Sequence, residues 1–531
     1  GWLSAAYLAR RLGTDRPGGV RIKLIEASDI PTIGVGEGTF PSLRTTMATI
    51  GVDEAAFMRE SACSFKQGIK FIDWEYSPAN GNSRHYYHLF NFPRQMGGGI
   101  DLAPYWLLDG APSGASFAEA VSPQAHLCDG RRAPKRVSDE PYSGPFNYAY
   151  HFDAGRFATF LKKTALSLGV EHLVGKVEKV TIGEDGAVTS LAVTEHGDQR
   201  ADLYLDCSGF LGVIIDRALS APRRNLSDTL FVDRALAVQI PYDREDAPIE
   251  SVTLSTAAKA GWIWDIGLDS RRGIGHVYSS RHMDESGAEK ILRAYAGPAA
   301  DKLDVRRLKM PTGYLLQPWK KNCVAVGLAG GFLEPLEATG IAMIEAAIRL
   351  IADYFPRDGE TAGVARLFNR AMVERYENAV EFIKMHYFLT KRRDSDFWID
   401  NARPESAPES LLEKLSLWRS RAPMPTDFSS VHDMFKRESY QYVLFGMGLR
   451  PALENNAPAY PYRREAREEF RAVNAAAKRA ASVMPDHRAL LRDVYGGGFA
   501  KSSGERPALA EARRLADESL EAVGARRYAR E

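Results

Sequence analysis

The pattern that most constrains the fold sits at the start of the chain. Residues 2 to 12, Trp-Leu-Ser-Ala-Ala-Tyr-Leu-Ala-Arg-Arg-Leu, place Leu3, Tyr7, Leu8 and Leu12 on one face at helical spacing. After a Gly/Pro-rich turn, the apolar run Val20-Arg21-Ile22-Lys23-Leu24-Ile25 ends at Glu26. Helix, strand and terminal acid in that order form the second half of a dinucleotide-binding βαβ unit. There the helix N-terminus faces a pyrophosphate and the acid holds a ribose hydroxyl. Gly1 then stands where the last glycine of the GxGxxG loop belongs, with the first strand and the first glycines outside this sequence. An ordinary αβ unit has the same local pattern, and both readings stay open at this point.

A chain of 531 residues is long enough for more than one core, although large α/β enzymes also fold as one unit. Its formal charge of +1 gives no broad field for nucleic acid or a membrane surface. No apolar run approaches the roughly eighteen residues needed to span a bilayer. Cys63, Cys128, Cys207 and Cys323 lack CxxC or CxxH spacing, which reads as reduced thiols in a cytoplasmic protein. No secretory signal is visible, but the chain opens on Gly1 instead of Met, which leaves room for a preceding segment.

Pro31-Thr32-Ile33-Gly34-Val35-Gly36-Glu37-Gly38-Thr39-Phe40-Pro41 is a loop too apolar for a linker, and its glycines allow close backbone approach to a flat ligand. A strand begins at Gly68, with Lys66 just before it; most lysines are solvated surface charges. His85-Tyr86-Tyr87-His88-Leu89-Phe90 alternates, and without a third ligand its histidines read as packing or a substrate wall, so no metal is expected. Residues 151 to 168 carry an amphipathic helix through Phe157, Phe160 and Leu161, with strands near Val180 and Leu191. Ala201 to Gly209 is a buried strand ending in Asp206-Cys207-Ser208-Gly209, at the edge where open α/β sheets bind cofactors. Gly261-Trp262-Ile263-Trp264-Asp265-Ile266 puts both indoles on one face, as core or as a stacking wall.

The buried run Cys323-Val324-Ala325-Val326-Gly327 leads to Gly331-Phe332-Leu333-Glu334-Pro335-Leu336-Glu337-Ala338-Thr339-Gly340-Ile341 and a helix from about Ala342 to Tyr354. Such a turn aims free N–H groups and a helix dipole at whatever lies above it, which suits an anion. It nonetheless carries Glu334 and Glu337, which local rules read as caps or as chemistry. Beyond it the chain is mainly helical, interrupted around 403–409 and 421–429. Residues 463 to 531 read as a solvated helical tail with little chemistry.

In this order, the pieces resemble the flavin-dependent tryptophan halogenases, from Gly1-Trp2 to about Pro451. The markers are Gly34-Val35-Gly36-Glu37, Phe65-Lys66, His85 to Phe90, His151-Phe152-Asp153-Ala154, Asp206 to Gly209, Gly261 to Ile266 and Phe332 to Glu337. The resemblance implies an α/β fold: a Rossmann-type FAD-binding module of the aromatic-hydroxylase kind over 1–385, with an inserted substrate sheet, and a helical cover and tail over 386–531. It implies FAD as FADH2 from a separate NAD(P)H-dependent flavin reductase, O2, chloride or bromide, and a small electron-rich aromatic substrate. A homodimer is a further expectation. By the same resemblance Gly1, Glu26, Gly34, Val35, Gly36, Glu37, Asp206 and Gly327 bind the cofactor, and the amides of Thr339 and Gly340 hold the halide. Lys66 receives hypohalous acid, as a haloamine or through a hydrogen bond, while Glu337 polarises the halogen donor or accepts the ring proton. His88, Phe90, Trp262 and Trp264 are the substrate walls.

Three departures matter. Ala338 stands where the family has serine. The Trp-x-Trp-x-Ile-Pro signature ends in Gly267, which is expected to loosen that strand end. The segment from Thr426 to Arg437 is shorter and lacks the tyrosine pair and tryptophan that grip the amino-acid end of free tryptophan. The expected substrate is therefore an indole-like aromatic other than free tryptophan, in a more open site. An aromatic hydroxylase working without halide, and a non-catalytic binding protein of the same fold, are the competing readings.

Overall fold

The N-terminal periodicity forms the helix Trp2–Leu12, which buries every residue except Arg10 and Arg11 and ends on Gly13 in the left-handed region (φ 76). The computed structural model describes residues 1–14, 16–29, 36–78, 82–428 and 430–499. Gly34 and Val35, expected at the cofactor, and residues 500–531 of the expected tail lie outside these. Lys23–Glu26 runs parallel to Glu171–Val174, as a dinucleotide-binding unit requires. A second parallel pair joins Tyr204–Asp206 to Cys323–Ala325, so the turns after Asp206 and Ala325 open on one sheet edge.

The helix expected over 151 to 168 begins later. His151 to Asp153 close the strand Ala149–Asp153, and the Asp153 carboxylate accepts the Arg156 N–H to cap the helix Ala154–Ser167. The strand reading wins because Gly36–Gly38 on one side and Ser64–Lys66 on the other pair with those residues.

A seven-stranded sheet runs in the order Arg306–Lys309, Arg234–Pro241, Arg271–Tyr278, Gly261–Gly267, Thr253–Ala258, Gly68–Ile72, His85–Leu89. Every pair is antiparallel except Thr253–Ala258 with Gly68–Ile72. Alternation sorts its side chains: Leu236, Ile263 and Ile274 pack under the helix Glu285–Ala296, while Trp262, Trp264 and Val277 join the main core. Gly267 does not loosen its strand. It is buried and paired with Arg272, and an added Cβ would lie 2.9 Å from both Ile249 Cγ2 and Tyr242 Oη, so neighbours already fill the space.

The helix Thr361–Phe388 runs through position 385. Arg437–Gly446 lies over the edge strand His85–Leu89. Arg463–Val483 and His487–Gly497 are not a solvated tail. Ala466, Phe470, Val473 and Ala477 are buried from the first, and His487, Leu490, Leu491 and Val494 from the second. The narrow apolar stripe is masked in sequence by the charged opposite face. Among the described residues no helix is long and apolar enough to cross a membrane.

Candidate active site

Lys66 ends the strand Ser64–Lys66, opposite Ala149. That neighbouring strand is anchored from below: Tyr148 and Tyr150 donate to Glu54 Oε1 at 2.7 and 2.6 Å, and Lys135 pairs with Glu54 Oε2 at 3.0 Å. Lys66 is fully buried and its Nζ has no hydrogen-bond partner among the described residues, 5.3 Å from the centre of the Phe90 ring. Burial pulls its pKa down to about 8, against the opposing pull of the nearby Glu337 carboxylate. Gly38 makes the room: a Cβ there would begin 3.2 Å from Lys66 Nζ and 3.6 Å from Ala338 Cβ. Lys66, Gly38 and Ala338 thus meet at one point, beside a His151 ring that burial first, and the Lys66 charge second, keep neutral.

Glu337 and Ala338 enter the helix Thr339–Asp353 with φ of 66° and 54°. Two consecutive left-handed non-glycine residues cost about 1–2 kcal/mol each, strain that persists only where the surroundings dictate it. Here they do. Glu337 Oε2 lies 2.7 Å from His88 Nδ1, and Oε1 lies 3.0 Å from His386 Nε2. His386 Nδ1 faces the Phe382 carbonyl oxygen at 2.9 Å, and a carbonyl only accepts, so Nδ1 carries a proton. A second proton must then sit between Nε2 and Glu337. Burial pushes the Glu337 carboxyl up, but the charges and hydrogen bonds of His88 and His386 together outweigh it and hold it well below the ordinary range. Glu337 is therefore held as a buried anion.

Glu334 has a different duty. Its Oε2 accepts from Trp262 Nε1 at 3.0 Å and Tyr387 Oη at 2.8 Å, its Oε1 is buried without a partner, and burial pushes its pKa up to about 7. It ties the turn to the core and caps no helix. Trp262 and Trp264 share a sheet face as their spacing requires, with rings edge-on at 6.4 Å. Trp262 is almost wholly buried, while the Trp264 ring covers Gly275 and its Nε1 has no partner.

Around His88 and Phe90 stands an aromatic group: Phe40 lies 6.4 Å from Phe90 and 5.6 Å from Phe435, which stacks on Phe382 at 4.0 Å. Asn378 fixes Phe435 by two main-chain bonds, accepting its N–H at 2.8 Å and donating to its carbonyl at 3.1 Å. The segment that lacks the expected aromatic set therefore still contributes one ring beside His88, at 6.2 Å. His85 leaves the same strand toward solvent, on the opposite side from His88, which separates the two histidines.

The residues expected at the cofactor gather at the other end of the turn. Gly1 lies against Leu24 and Cys207, and Gly327 (φ 70) follows Val326, whose N–H donates to the Asp206 carbonyl at 2.9 Å. The Asp206 carboxylate is spent inside the fold, accepting from Ile214 N and Ile215 N at 2.8 Å each and from Ser208 N and Oγ. It shapes the turn. Glu26 lies 3.0 Å from each of Trp2 Nε1, Lys162 Nζ and His172 Nε2 and remains partly exposed. Gly36 pairs with Asp153, and burial pushes the neighbouring Glu37 carboxyl up to about 7. The helices that start at Gly1 and at Thr339 pack on each other; neither has a side-chain cap or an acid in its first turn. Both N-termini therefore leave their N–H groups and positive dipole ends for an anion. A Cβ at Gly340 would meet nothing within 4 Å, so its backbone is open to close approach.

Sequence reasoning reached Lys66, His88 and Glu337 but missed His386, Phe40 and Phe435. The signal for His386 is a lone histidine in the buried run Val380 to Tyr387, one helical turn after Phe382.

Known proteins share this fold. The family model described as tryptophan halogenase matches residues 1–460. Tryptophan 6-halogenase SttH of Streptomyces toxytricini is 33% identical over 511 residues, covering 91% of this chain and 94% of that protein. Among solved structures, tryptophan halogenase from Shewanella frigidimarina superposes with a TM-score of 0.90 at 36% identity, covering 94% of this chain and 97% of its own. BrvH, a flavin-dependent halogenase from Brevundimonas sp., does so with 0.82 at 32%, covering 93% and 96%. With a buried lysine, a histidine-held glutamate and two uncapped helix ends on that shared fold, the chain belongs to the tryptophan halogenase family of flavin-dependent halogenases.

Proposed function

We propose that the chain halogenates an indole-like aromatic other than free tryptophan, with Lys66 delivering the halogen and Glu337 taking the ring proton. The family uses reduced FAD and a halide and depends on a separate flavin reductase. The residues present suit both guests: the uncapped helix ends at Gly1 and Thr339 favour a pyrophosphate and a halide, and the open Gly340 backbone admits close approach. On this reading Gly1, Glu26, Gly36, Glu37 and Gly327 line the cofactor, and the N–H groups of Thr339 and Gly340 hold the halide. Bound FADH2, with O2, supplies the oxidising equivalents that turn halide into hypohalous acid.

The observation that carries the proposal is the pairing of an unpartnered, fully buried Lys66 amine with the histidine-held Glu337 anion. At neutral pH the Lys66 ammonium donates to the oxygen of hypohalous acid. As the halogen passes to a ring carbon that oxygen leaves as water with the Lys66 proton. Glu337 stabilises the cationic ring and accepts its proton, then releases it to solvent as Lys66 takes one up, so that both groups return to their starting charge. Exclusion of water from both groups strengthens each interaction. His88, Phe90, Phe40 and Phe435 form the aromatic side of the site, and the segment bearing Phe435 supplies stacking where an amino-acid grip would be needed for free tryptophan. The free cysteines, all unpaired, support a reducing, cytoplasmic setting.

The test is competition: full chain, FAD, a flavin reductase and bromide, offered equimolar simple indoles and free tryptophan, read by mass spectrometry. Halogenated indole in excess over halogenated tryptophan is the expected outcome; preference for free tryptophan would overturn the substrate assignment.

A further inference from the structure

The outer edge of the Lys66 strand ends on a side chain from the far end of the protein. Alternation turns the Phe65 and Gln67 N–H groups to the same side, away from Ala149–Asp153. Gln67 N donates to the Ser251 carbonyl at 2.7 Å, and Phe65 N donates to His487 Nε2 at 3.0 Å. His487 opens the helix His487–Gly497 and is fully buried, with its ring 5.9 Å from the Phe65 ring. Its Nδ1 lies 3.2 Å from the Ile249 carbonyl oxygen, which only accepts, so the ring proton is on Nδ1 and Nε2 offers a lone pair. Burial holds its pKa down to about 4, so that lone pair persists at neutral pH.

The helix is fixed independently of this bond. Asp486 caps it at Ala489 N (3.0 Å), Ala133 N donates to the Pro485 carbonyl (2.9 Å), and Tyr495 Oη donates to the Cys63 carbonyl (2.6 Å). The imidazole thus fills the place of a missing neighbouring strand, one residue from Lys66.

We propose that His487 is a positioning residue for Lys66: its imidazole completes the strand edge and fixes where the buried amine points. This rests on the reading of Lys66 as the halogen-delivering group. The helix His487–Gly497 is then a working part of the site, acting on Lys66 through the Phe65 main chain.

The test compares two neutral, polar variants of the full chain. His487→Gln keeps an acceptor near the position of Nε2, whereas His487→Asn places its oxygen near Nδ1, short of Phe65. Three quantities are read: hydrogen exchange of the Phe65 amide, titration of Lys66 by 15N NMR of Nζ, and the share of hypohalous acid captured by an added thioether instead of the aromatic. The Asn variant is expected to exchange the Phe65 amide at least about tenfold faster, to shift the Lys66 titration, and to lose more oxidant to the trap, while the Gln variant matches the wild type. Equal behaviour of the two variants, or a wild-type Lys66 titration in His487→Asn, overturns the proposal. Should the Asn variant not fold, the Gln variant decides: an altered Lys66 titration there overturns it, and an unaltered one supports it. Exchange and titration need no turnover, so they decide this point even if the chain halogenates nothing, a result that would count against the proposed function alone.

Discussion

His386 Nε2 lies 3.0 Å from Glu337 Oε1, on the side of the carboxylate opposite His88. The Glu337 carboxylate is therefore held by a strand and a helix that the turn itself does not belong to. His386 is wholly buried among Phe71, Trp74 and Phe382. Removing it leaves the buried Glu337 carboxylate without one of its two hydrogen-bond partners. His386→Phe is expected to lose about 3 kcal/mol in urea unfolding and about 10²-fold in kcat. His386→Gln, which can still donate to Oε1, should lose much less of both. Equal losses in the two variants would show that the donated proton is not what matters.

Burial of Lys66 costs stability, and the sign follows from its pKa. The folded value of about 8 lies below the ordinary lysine value, so between the two the unfolded chain binds the extra proton. Stability attributable to this group therefore rises with pH from about 8 to about 10.4, and the full penalty is present below about 8. Lys66→Met is expected to raise the unfolding free energy at pH 7 by up to about 3 kcal/mol, with the gain vanishing above about pH 10.4. Denaturant melts across that range check both the size and the direction.

The same titration marks the chemistry. With the ammonium as the working form, single-turnover halogenation should be flat below pH 8 and fall roughly tenfold per unit above it. A rate that climbs through pH 8 would instead assign the reaction to the free amine and a haloamine.

Ala338 carries left-handed strain that glycine would relieve. Ala338→Gly is expected to raise stability by about 1 kcal/mol and to lower activity severalfold, because the residue that hinges Glu337 onto the helix becomes looser. Calorimetry with product assays on one preparation measures both; a variant gaining stability at no cost in rate would show that the strain is incidental.

Much of this site can be read along the chain because its residues lie at element ends, where local rules operate. Glu26 closes a short strand, Asp206 precedes a turn, and Glu337 sits before a helix, so spacing and order locate them. His386 and His487 escape that logic. Each is an isolated histidine, and its partner, Glu337 or Phe65, is brought to it only by tertiary packing, across 49 and 422 residues. Glu334 and Glu337 look alike locally; Trp262 and Tyr387 on one side and the paired histidines on the other separate them. The charged face of Arg463–Val483 hides a buried stripe for the same reason, since what covers a helix is not written in the helix.

The most direct measurement is product analysis of wild type and Lys66→Ala, each loaded with FAD and supplied with a flavin reductase, O2 and an indole, with and without bromide. Wild type is expected to yield a mono-brominated indole only when bromide is present, and Lys66→Ala to lose that product while still consuming reduced flavin. An oxygenated product formed without bromide, or bromination undiminished in Lys66→Ala, would contradict the assignment of Lys66 as the group that delivers the halogen.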